Sequence, residues 1–355
     1  MASILIKNGR LWDGERFFFA DILTDGDRIA RIEPNITEEA KYVYDAMGKT
    51  VSAGLVDTHV HMRGISSEKY GIQTEMACFP FGVTAAADAG GRYGDLALLD
   101  CFAVKSLVFV EVSIKENHAD FTSITEKIAK YGNRAVGVKV YFDTVVSGVT
   151  DLSPLRAVCE FAHQRGLRVM VHCSNPPVSM AELLECLAEG DLLTHAFHGG
   201  NNNASEDNFE SMKQAQARGV IIDTGFAAYV HTDFAVFQGG IRAGMIPNTV
   251  STDITKSSAY IRGGRYGLTM CMSMARHMGM GEEEIFRAVT SNAARALGKE
   301  TEWGYLQVGR RADIAVLDDT DEGFSLTDKA GNFIESNRGY RCVLTVSDGQ
   351  ILYKY

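Results

Sequence analysis

Residues 56–61 read Val56-Asp57-Thr58-His59-Val60-His61, a short apolar run that carries two histidines. Side chains alternate between the two faces of a β-strand, so His59 and His61, two positions apart, point to the same face. Both imidazoles can therefore reach one metal ion. The pattern predicts a metal site at the end of a strand.

Four further polar residues close or interrupt later apolar runs, and all four are of metal-binding type. They are Lys139 within 136–140, His172 after 167–171, His195 after 192–194 and Asp253 after 250–252. Candidate ligands at the ends of successive strands are typical of an active site at the mouth of a barrel. We interpret the six residues as one metal centre.

The middle of the chain, residues 53–304, alternates short apolar runs with helix-like stretches such as 123–131, 152–165 and 282–297. About 250 residues in strand–helix units is the size of a (β/α)8 barrel. A doubly wound sheet alternates strands and helices as well. However, the first strand–helix junction has no GxGxxG motif, and the candidate ligands come from many strands. We therefore predict an α/β fold with a (β/α)8 TIM-like barrel over 53–304.

Both ends of the chain consist of short apolar or alternating segments bounded by turn residues. Residues 1–52 and 305–355 are each too short to bury a core of their own. We expect the two ends to pack together as one small β-sandwich, with the barrel inserted between them.

The composition is that of an ordinary globular protein of 355 residues, with 46% hydrophobic residues and a formal net charge of −10. This charge argues against a nucleic acid or an acidic membrane as a partner. The seven cysteines form no CxxC pair, which disfavours a disulfide framework. No signal-peptide or membrane-spanning pattern is present. We expect a cytoplasmic homo-oligomer with a small-molecule substrate.

The candidate ligands divide into two groups. His59, His61 and Asp253 would hold one ion, and His172 and His195 would hold a second. Imidazole and carboxylate ligands suit zinc, with manganese, iron or nickel as alternatives.

Lys139 needs a separate explanation, because a charged and unpaired lysine inside an apolar strand costs several kcal/mol. Burial can lower its pKa and leave a neutral amine that reacts with carbon dioxide. The resulting carbamate is an anion with two oxygens, suited to bridging two cations. The alternative is an ordinary lysine paired to a carboxylate.

Three stretches carry a resemblance to a known family: 53–61, 290–295 and 308–317. Over essentially its whole length the chain resembles the amidohydrolase superfamily, in its dihydroorotase-like subtype with two metal ions and a carboxylated lysine. The resemblance implies that the six residues above are the ligands. It also implies attack by a hydroxide that bridges the two ions, with Asp253 as the proton shuttle.

Within this superfamily, residues 250–253 and 221–225 resemble a group of deacetylases. The resemblance favours hydrolysis of a C–N or ester acyl bond in a small carboxylate-bearing substrate. The alternative is a cyclic amidohydrolase of the dihydroorotase or hydantoinase kind. Those enzymes usually carry an Asp-His-Ala/Cys-Pro-like stretch where this chain has Asp253-Ile254-Thr255-Lys256.

Two further alternatives are opposed by particular residues. A deaminase or a mononuclear relative would lack the bridging carbamate, and Lys139 in its strand argues against both. A catalytically silent scaffold homologue would lack metal ligands, whereas all six positions are filled here.

Substrate contacts are predicted from residues near the ligands. Arg63, two positions after His61, could hold a carboxylate, as the arginine of the dihydroorotase HxHxR pattern does; the alternative is an ion pair with a loop acid. His198 could contact the substrate from its loop or form a loop hydrogen bond. His231 and Lys256, in or near later loops, are further candidates.

Overall fold

A computed structural model describes residues 3–63, 69–90, 96–115, 117–227, 230–261 and 266–355. The strands are β1 (Ile4–Trp12), β2 (Phe17–Asp25), β3 (Arg28–Glu33), β4 (Tyr42–Asp45), β5 (Thr50–Ala53), β6 (Leu55–Val60), β7 (Val83–Asp88), β8 (Lys105–Lys115), β9 (His118–Asp120), β10 (Ala135–Tyr141), β11 (Arg168–His172), β12 (Leu192–Thr194), β13 (Ile221–Ile222), β14 (Ile314–Thr320), β15 (Phe324–Thr327), β16 (Phe333–Ser336), β17 (Gly339–Ser347) and β18 (Gln350–Lys354). The helices are α1 (Thr74–Cys78), α2 (Leu96–Cys101), α3 (Ile124–Tyr131), α4 (Ser153–His163), α5 (Met180–Leu184), α6 (Glu210–Ala217), α7 (Phe234–Arg242), α8 (Lys256–Ile261), α9 (Leu268–Met278), α10 (Glu282–Val289) and α11 (Ser291–Ala296).

The short apolar runs in the middle of the sequence form a parallel barrel. Strands β6, β7, β8, β10, β11, β12 and β13 pair side by side in that order. Residues 249–254 close the ring as an eighth segment, because Thr249 bridges Asp223 beyond β13 and Ile254 bridges Val60 of β6, both in parallel. The predicted (β/α)8 barrel is confirmed.

The predicted helix over 282–297 is in fact two helices, α10 and α11, separated at Thr290. The hydroxyl of Thr290 donates to the carbonyl of Phe286, and it accepts the indole N–H of Trp12 at 3.0 Å. A threonine that bonds back to the preceding turn distorts a helix. The hydrogen bond from Trp12 connects this break between the two helices to strand β1.

The two chain ends meet in one sheet of eight strands, in the order β18-β17-β14-β5-β1-β2-β3, with β4 beside β1. The chain passes from this sheet into the barrel at Gly54, between β5 and β6. A Cβ atom at that position would lie 2.1 Å from Oγ1 of Thr84, so only glycine fits. The domain boundaries at 52/53 and 304/305 stay predictions.

In the part of the chain that the structure describes, no helix combines the length and apolar character needed to cross a bilayer. The cytoplasmic location and the homo-oligomeric state stay predictions.

Candidate metal centre

All six predicted ligands lie at the mouth of the barrel, where the carboxyl ends of its parallel strands converge. They are His59 in β6, His61 just after it, Lys139 in β10, His172 at the end of β11, His195 directly after β12 and Asp253 in the closing segment. Each is at most 5% exposed. Residues from five parts of the barrel are thus buried together at one end, although the first of them, His59, and the last, Asp253, are more than 190 positions apart in sequence.

His59, His61 and Asp253 form the first cluster, with their ligand atoms within 4.8 Å of one another. Oδ1 of Asp253 lies 3.2 Å from Nε2 of His59 and 2.9 Å from Nε2 of His61. It nevertheless has no hydrogen-bond partner among the described residues. Burial opposes ionisation of Asp253, but the two histidines hold its pKa well below its usual value. An anionic oxygen facing two imidazole nitrogens in this way suits a cation between them.

His172, His195 and His231 form the second cluster, again with a ring nitrogen of each within 4.8 Å of the others. Nε2 of His172 and Nε2 of His195 are buried and have no hydrogen-bond partner among the described residues. Buried polar atoms normally have partners, so two orphaned imidazole nitrogens in one cluster suit a metal ion. His231 belongs to this cluster, although the sequence pattern indicated it only as a further candidate substrate contact, together with Lys256.

Lys139 is completely buried beside the first cluster. Its Nζ lies 3.2 Å from Nε2 of His59 and 3.4 Å from Sδ of Met170, and neither neighbour is a carboxylate. Burial lowers its pKa to about 8, although the charge of Asp253 opposes this shift. A lysine with a lowered pKa is more often a neutral nucleophilic amine near neutral pH.

A hydrogen-bond chain behind His59 fixes the orientation of its ring. Nδ1 of His59 lies 2.8 Å from Oγ1 of Thr194, and this hydroxyl donates to Oδ2 of Asp223 at 2.8 Å. The hydroxyl therefore accepts a hydrogen bond from the N–H at Nδ1, which leaves the ring lone pair on Nε2, the nitrogen that faces the cluster.

Asp223 was missed by the sequence analysis. Besides Thr194, it accepts hydrogen bonds from the hydroxyls of Thr58, Thr249 and Ser251. Its position directly after the apolar pair of β13, at a strand end like the predicted ligands, was the signal available in the sequence.

Two other histidines are oriented by backbone carbonyls, which can only accept. Nδ1 of His61 lies 3.0 Å from the carbonyl oxygen of Gly90, and Nδ1 of His195 lies 2.7 Å from that of Gly225. A neutral ring held in this way carries its proton on Nδ1 and its lone pair on Nε2. This arrangement is typical of histidines that bind metals.

Two of the candidate ligands have a backbone conformation that is uncommon outside glycine. His195 has φ of 61° and Asp253 has φ of 48°, both in the left-handed region. Histidine and aspartate enter this region more readily than most residues. Local strain of this kind is concentrated at functional sites.

Arg63 forms an ion pair, the kind of contact considered as the alternative to substrate binding, but its partner Asp88 is the last residue of strand β7 and not a loop acid. Its Nε and Nη2 donate to Oδ1 of Asp88 at 2.9 and 2.7 Å, and its Nη1 donates to the hydroxyl of Tyr131. Strand β6 ends at Val60, so strand alternation does not place the side chain of Arg63 beside that of His61. The guanidinium points to the end of β7 instead.

His198 likewise forms the loop hydrogen bond that was the alternative to a substrate contact. It is completely buried, its Nδ1 accepts the backbone N–H of Gly200 at 3.1 Å, and its Nε2 lies 3.6 Å from Sγ of Cys173. It does not line the cavity described next.

A cavity of about 270 Å³ opens over the two clusters. Its described lining residues are His61, Lys69, Tyr70, Tyr141, Val146, His172, Ala227, Val230, His231, Asp253, Thr255, Ser257 and Ser258. The lining thus joins both clusters to a small pocket with aromatic, aliphatic and hydroxyl groups and one lysine. Neither Arg63 nor Lys256 is part of it.

Comparisons with known proteins agree with this geometry. The sequence profile of the amidohydrolase family matches residues 50–352. A protein of Enterococcus faecalis named deacetylase is 28% identical and aligns over 98% of each chain. A protein of Agrobacterium fabrum, also named deacetylase, is 28% identical over 88% of this chain and 81% of its own length. A crystal structure of a dihydroorotase superposes with a TM-score of 0.87 at 25% identity, over 100% of this chain and 98% of that one.

Proposed function

This chain belongs to the amidohydrolase family, and we propose that it is a metal-dependent deacetylase acting on a small, carboxylate-bearing acyl compound. The observation that carries the proposal is the pair of clusters at the barrel mouth, one of His59, His61 and Asp253 and one that contains His172 and His195. His172 and Asp253, each of which has a buried polar atom without a hydrogen-bond partner among the described residues, line a cavity of small-molecule size.

The residues fit two divalent ions. His59, His61 and Asp253 would hold the first, His172 and His195 the second, and a carboxylated Lys139 would bridge them. This donor set favours zinc, with manganese, iron or nickel as alternatives. Bound there, such ions would lower the pKa of water and polarise the substrate carbonyl.

Asp253 is suited to moving the proton. Its Oδ1 faces His59 and His61, whereas its Oδ2 lies 3.9 Å from Nε2 of His195 and 3.7 Å from Nε2 of His231. One oxygen is thus available as a ligand and the other for proton transfer. In this role Asp253 accepts the proton of the attacking water and delivers it to the leaving nitrogen or oxygen.

The cavity supports a linear acyl substrate over a cyclic one. The arginine that a dihydroorotase-like site would use for its substrate is bound by Asp88 in this chain. Lys69 lines the cavity and can attract a substrate carboxylate, while Tyr70, Tyr141 and Val146 provide apolar walls. The two relatives named deacetylase support the same choice.

The test is hydrolysis by the zinc- or manganese-loaded protein across N-acyl amino acids, O-acetyl hydroxy acids, dihydroorotate, hydantoins and other cyclic imides. The Asp253→Asn protein serves as the blank. We expect turnover of linear acyl compounds. Turnover of cyclic compounds alone would show a cyclic amidohydrolase instead. A wild-type protein that binds no metal would favour a catalytically silent scaffold.

A further inference from the structure

His231 follows β13 in the sequence, and described residues before and after it are hydrogen-bonded to other parts of the barrel mouth. Before it, the backbone N–H of Ala227 donates to the carbonyl of Thr252 at 2.8 Å. After it, Thr232 bridges His198, and the N–H of Asp233 donates to the carbonyl of Phe197 at 3.0 Å. His231 is therefore carried by anchored backbone next to the loop that follows His195.

The ring of His231 contacts both predicted ligands of the second cluster. Its centroid is 4.0 Å from that of His195, with the planes 32° apart, and 4.9 Å from that of His172, with the planes perpendicular at 89°. Its Nε2 is 3.7 Å from Oδ2 of Asp253, so this nitrogen faces the centre of the site.

The other nitrogen of the ring has a partner of the kind that orients metal-binding histidines. Nδ1 of His231 lies 2.8 Å from Oγ of Ser174, two residues after His172. The same pairing of Nδ1 with a hydroxyl oxygen is seen for His59 and Thr194, and pairing with a carbonyl is seen for His61 and His195. A neutral ring that donates from Nδ1 to Ser174 presents a lone pair on Nε2.

The two predicted ion sites have unequal sets of protein ligands unless His231 is included. The first has His59, His61 and Asp253, whereas the second has only His172 and His195 in addition to the shared Lys139. With His231 included, each ion would have four protein ligands when the shared Lys139 is counted for both. A ring nitrogen of His231 lies within 4.8 Å of the ligand atoms of His172 and His195.

We propose that His231 is a third imidazole ligand of the ion held by His172 and His195. This inference rests on the proposed function, because it requires the two-ion centre. The competing role for His231 is a contact with substrate alone, since its side chain also lines the cavity.

The experiment compares metal binding in four proteins: wild type, His231→Asn, Ser174→Ala and the control His277→Asn. His277 is an exposed histidine on α9, so its replacement removes an imidazole without touching the site. Each protein is stripped with a chelator, reloaded with Co²⁺ or Zn²⁺, and analysed for ions per chain and for affinity by competition with a chromophoric chelator. Far-UV circular dichroism checks that each variant is folded.

We expect about two ions per chain in wild type and in His277→Asn. In His231→Asn the first ion should be retained, while the affinity for the second should fall by more than about 100-fold and the visible spectrum of the second Co²⁺ should change. Ser174→Ala removes only the orienting group and should weaken the second ion by roughly tenfold. It also keeps the inference testable if His231→Asn does not fold.

A second ion bound by His231→Asn with wild-type affinity and spectrum would overturn the inference, and a raised KM in the same protein would assign His231 to the substrate. A wild-type protein that holds a single ion would instead contradict the two-ion centre of the proposed function. Failure of the inference would thus be seen in His231→Asn, as a second ion that binds normally, and failure of the proposed function would be seen in wild type, as a missing second ion.

Discussion

Nδ1 of His59 lies 2.8 Å from Oγ1 of Thr194, and this contact connects a candidate metal ligand to a buried carboxylate. Because Thr194 donates to Asp223, its oxygen must accept from His59. The threonine thus determines which nitrogen of His59 faces the site. Thr194, which is not a candidate ligand, would in this way increase the metal affinity of His59, which is one.

Replacement of Thr194 by valine tests this connection. Thr194→Val preserves the shape of the side chain but removes the acceptor, so we expect a roughly 10- to 100-fold loss of affinity for the first ion. Chelator competition measures the loss. Thr58→Val is the matched control, because Thr58 also donates to Asp223, at 3.2 Å, without contacting His59 through its hydroxyl. Equal effects of the two changes would contradict the orienting role.

Asp253→Asn should remove turnover while leaving the fold intact. Asparagine also tolerates the left-handed backbone found at position 253, so little strain is added. Loss of the proton carrier should lower kcat by about 10²- to 10⁴-fold. The measurement is steady-state kinetics on the metal-loaded protein, with the metal content and thermal unfolding determined in parallel. A kcat within a factor of a few of wild type would rule out Asp253 as the proton shuttle.

Arg63→Met should reduce stability rather than substrate affinity. The Arg63 and Asp88 side chains are 5% and 1% exposed, so the change leaves a buried carboxylate without its cation. Breaking one side of such a pair costs about 3–5 kcal/mol. Urea denaturation measures this loss, and the double variant Arg63→Met/Asp88→Asn should recover part of it. If the stability is unchanged and KM rises more than tenfold, Arg63 contacts the substrate after all.

The fold and the candidate ligands that the fold brings together could be predicted because they depend on local sequence patterns. A histidine pair two positions apart in an apolar run indicates one face of a strand, as found for His59 and His61 in and after β6. Lys139 inside an apolar run indicates a buried amine, and the structure places it beside His59. Each pattern lies within a few residues, and the barrel then brings the patterns together.

The substrate contacts could not be predicted in the same way, because they depend on how loops turn. Arg63 and His198 were both candidate contacts, yet Arg63 pairs with Asp88 of another strand and His198 is buried in contact with Cys173. His231, in a similar loop position, faces the cavity. No spacing in the sequence distinguishes the loop that turns inward from those that do not.

The burial of His198 predicts a dependence of stability on pH. Burial lowers its pKa from 6.5 to about 4. Between these values the unfolded chain binds a proton that the native chain does not, so the free energy of unfolding should fall as the pH falls from about 6.5 to about 4. This single group contributes a slope of up to about 1.4 kcal/mol per pH unit.

His198→Asn isolates this contribution, because asparagine can still accept the N–H of Gly200 but does not titrate. Both proteins are kept metal-free, and urea denaturation is followed at several pH values across the window. The stability difference between wild type and variant should shrink as the pH falls. A difference that is constant across the window would show that His198 is not responsible.

The proposed two-ion centre depends on Lys139, which would bridge the two metal ions once it is carboxylated. The most direct measurement is the number of divalent ions per chain in the wild-type and Lys139→Ala proteins after reloading in the presence of bicarbonate. We expect about two ions in wild type. In Lys139→Ala we expect fewer ions and a loss of activity that a short carboxylic acid partly restores. A Lys139→Ala protein that binds as many ions as wild type and is fully active without added acid would rule out a bridging role for Lys139.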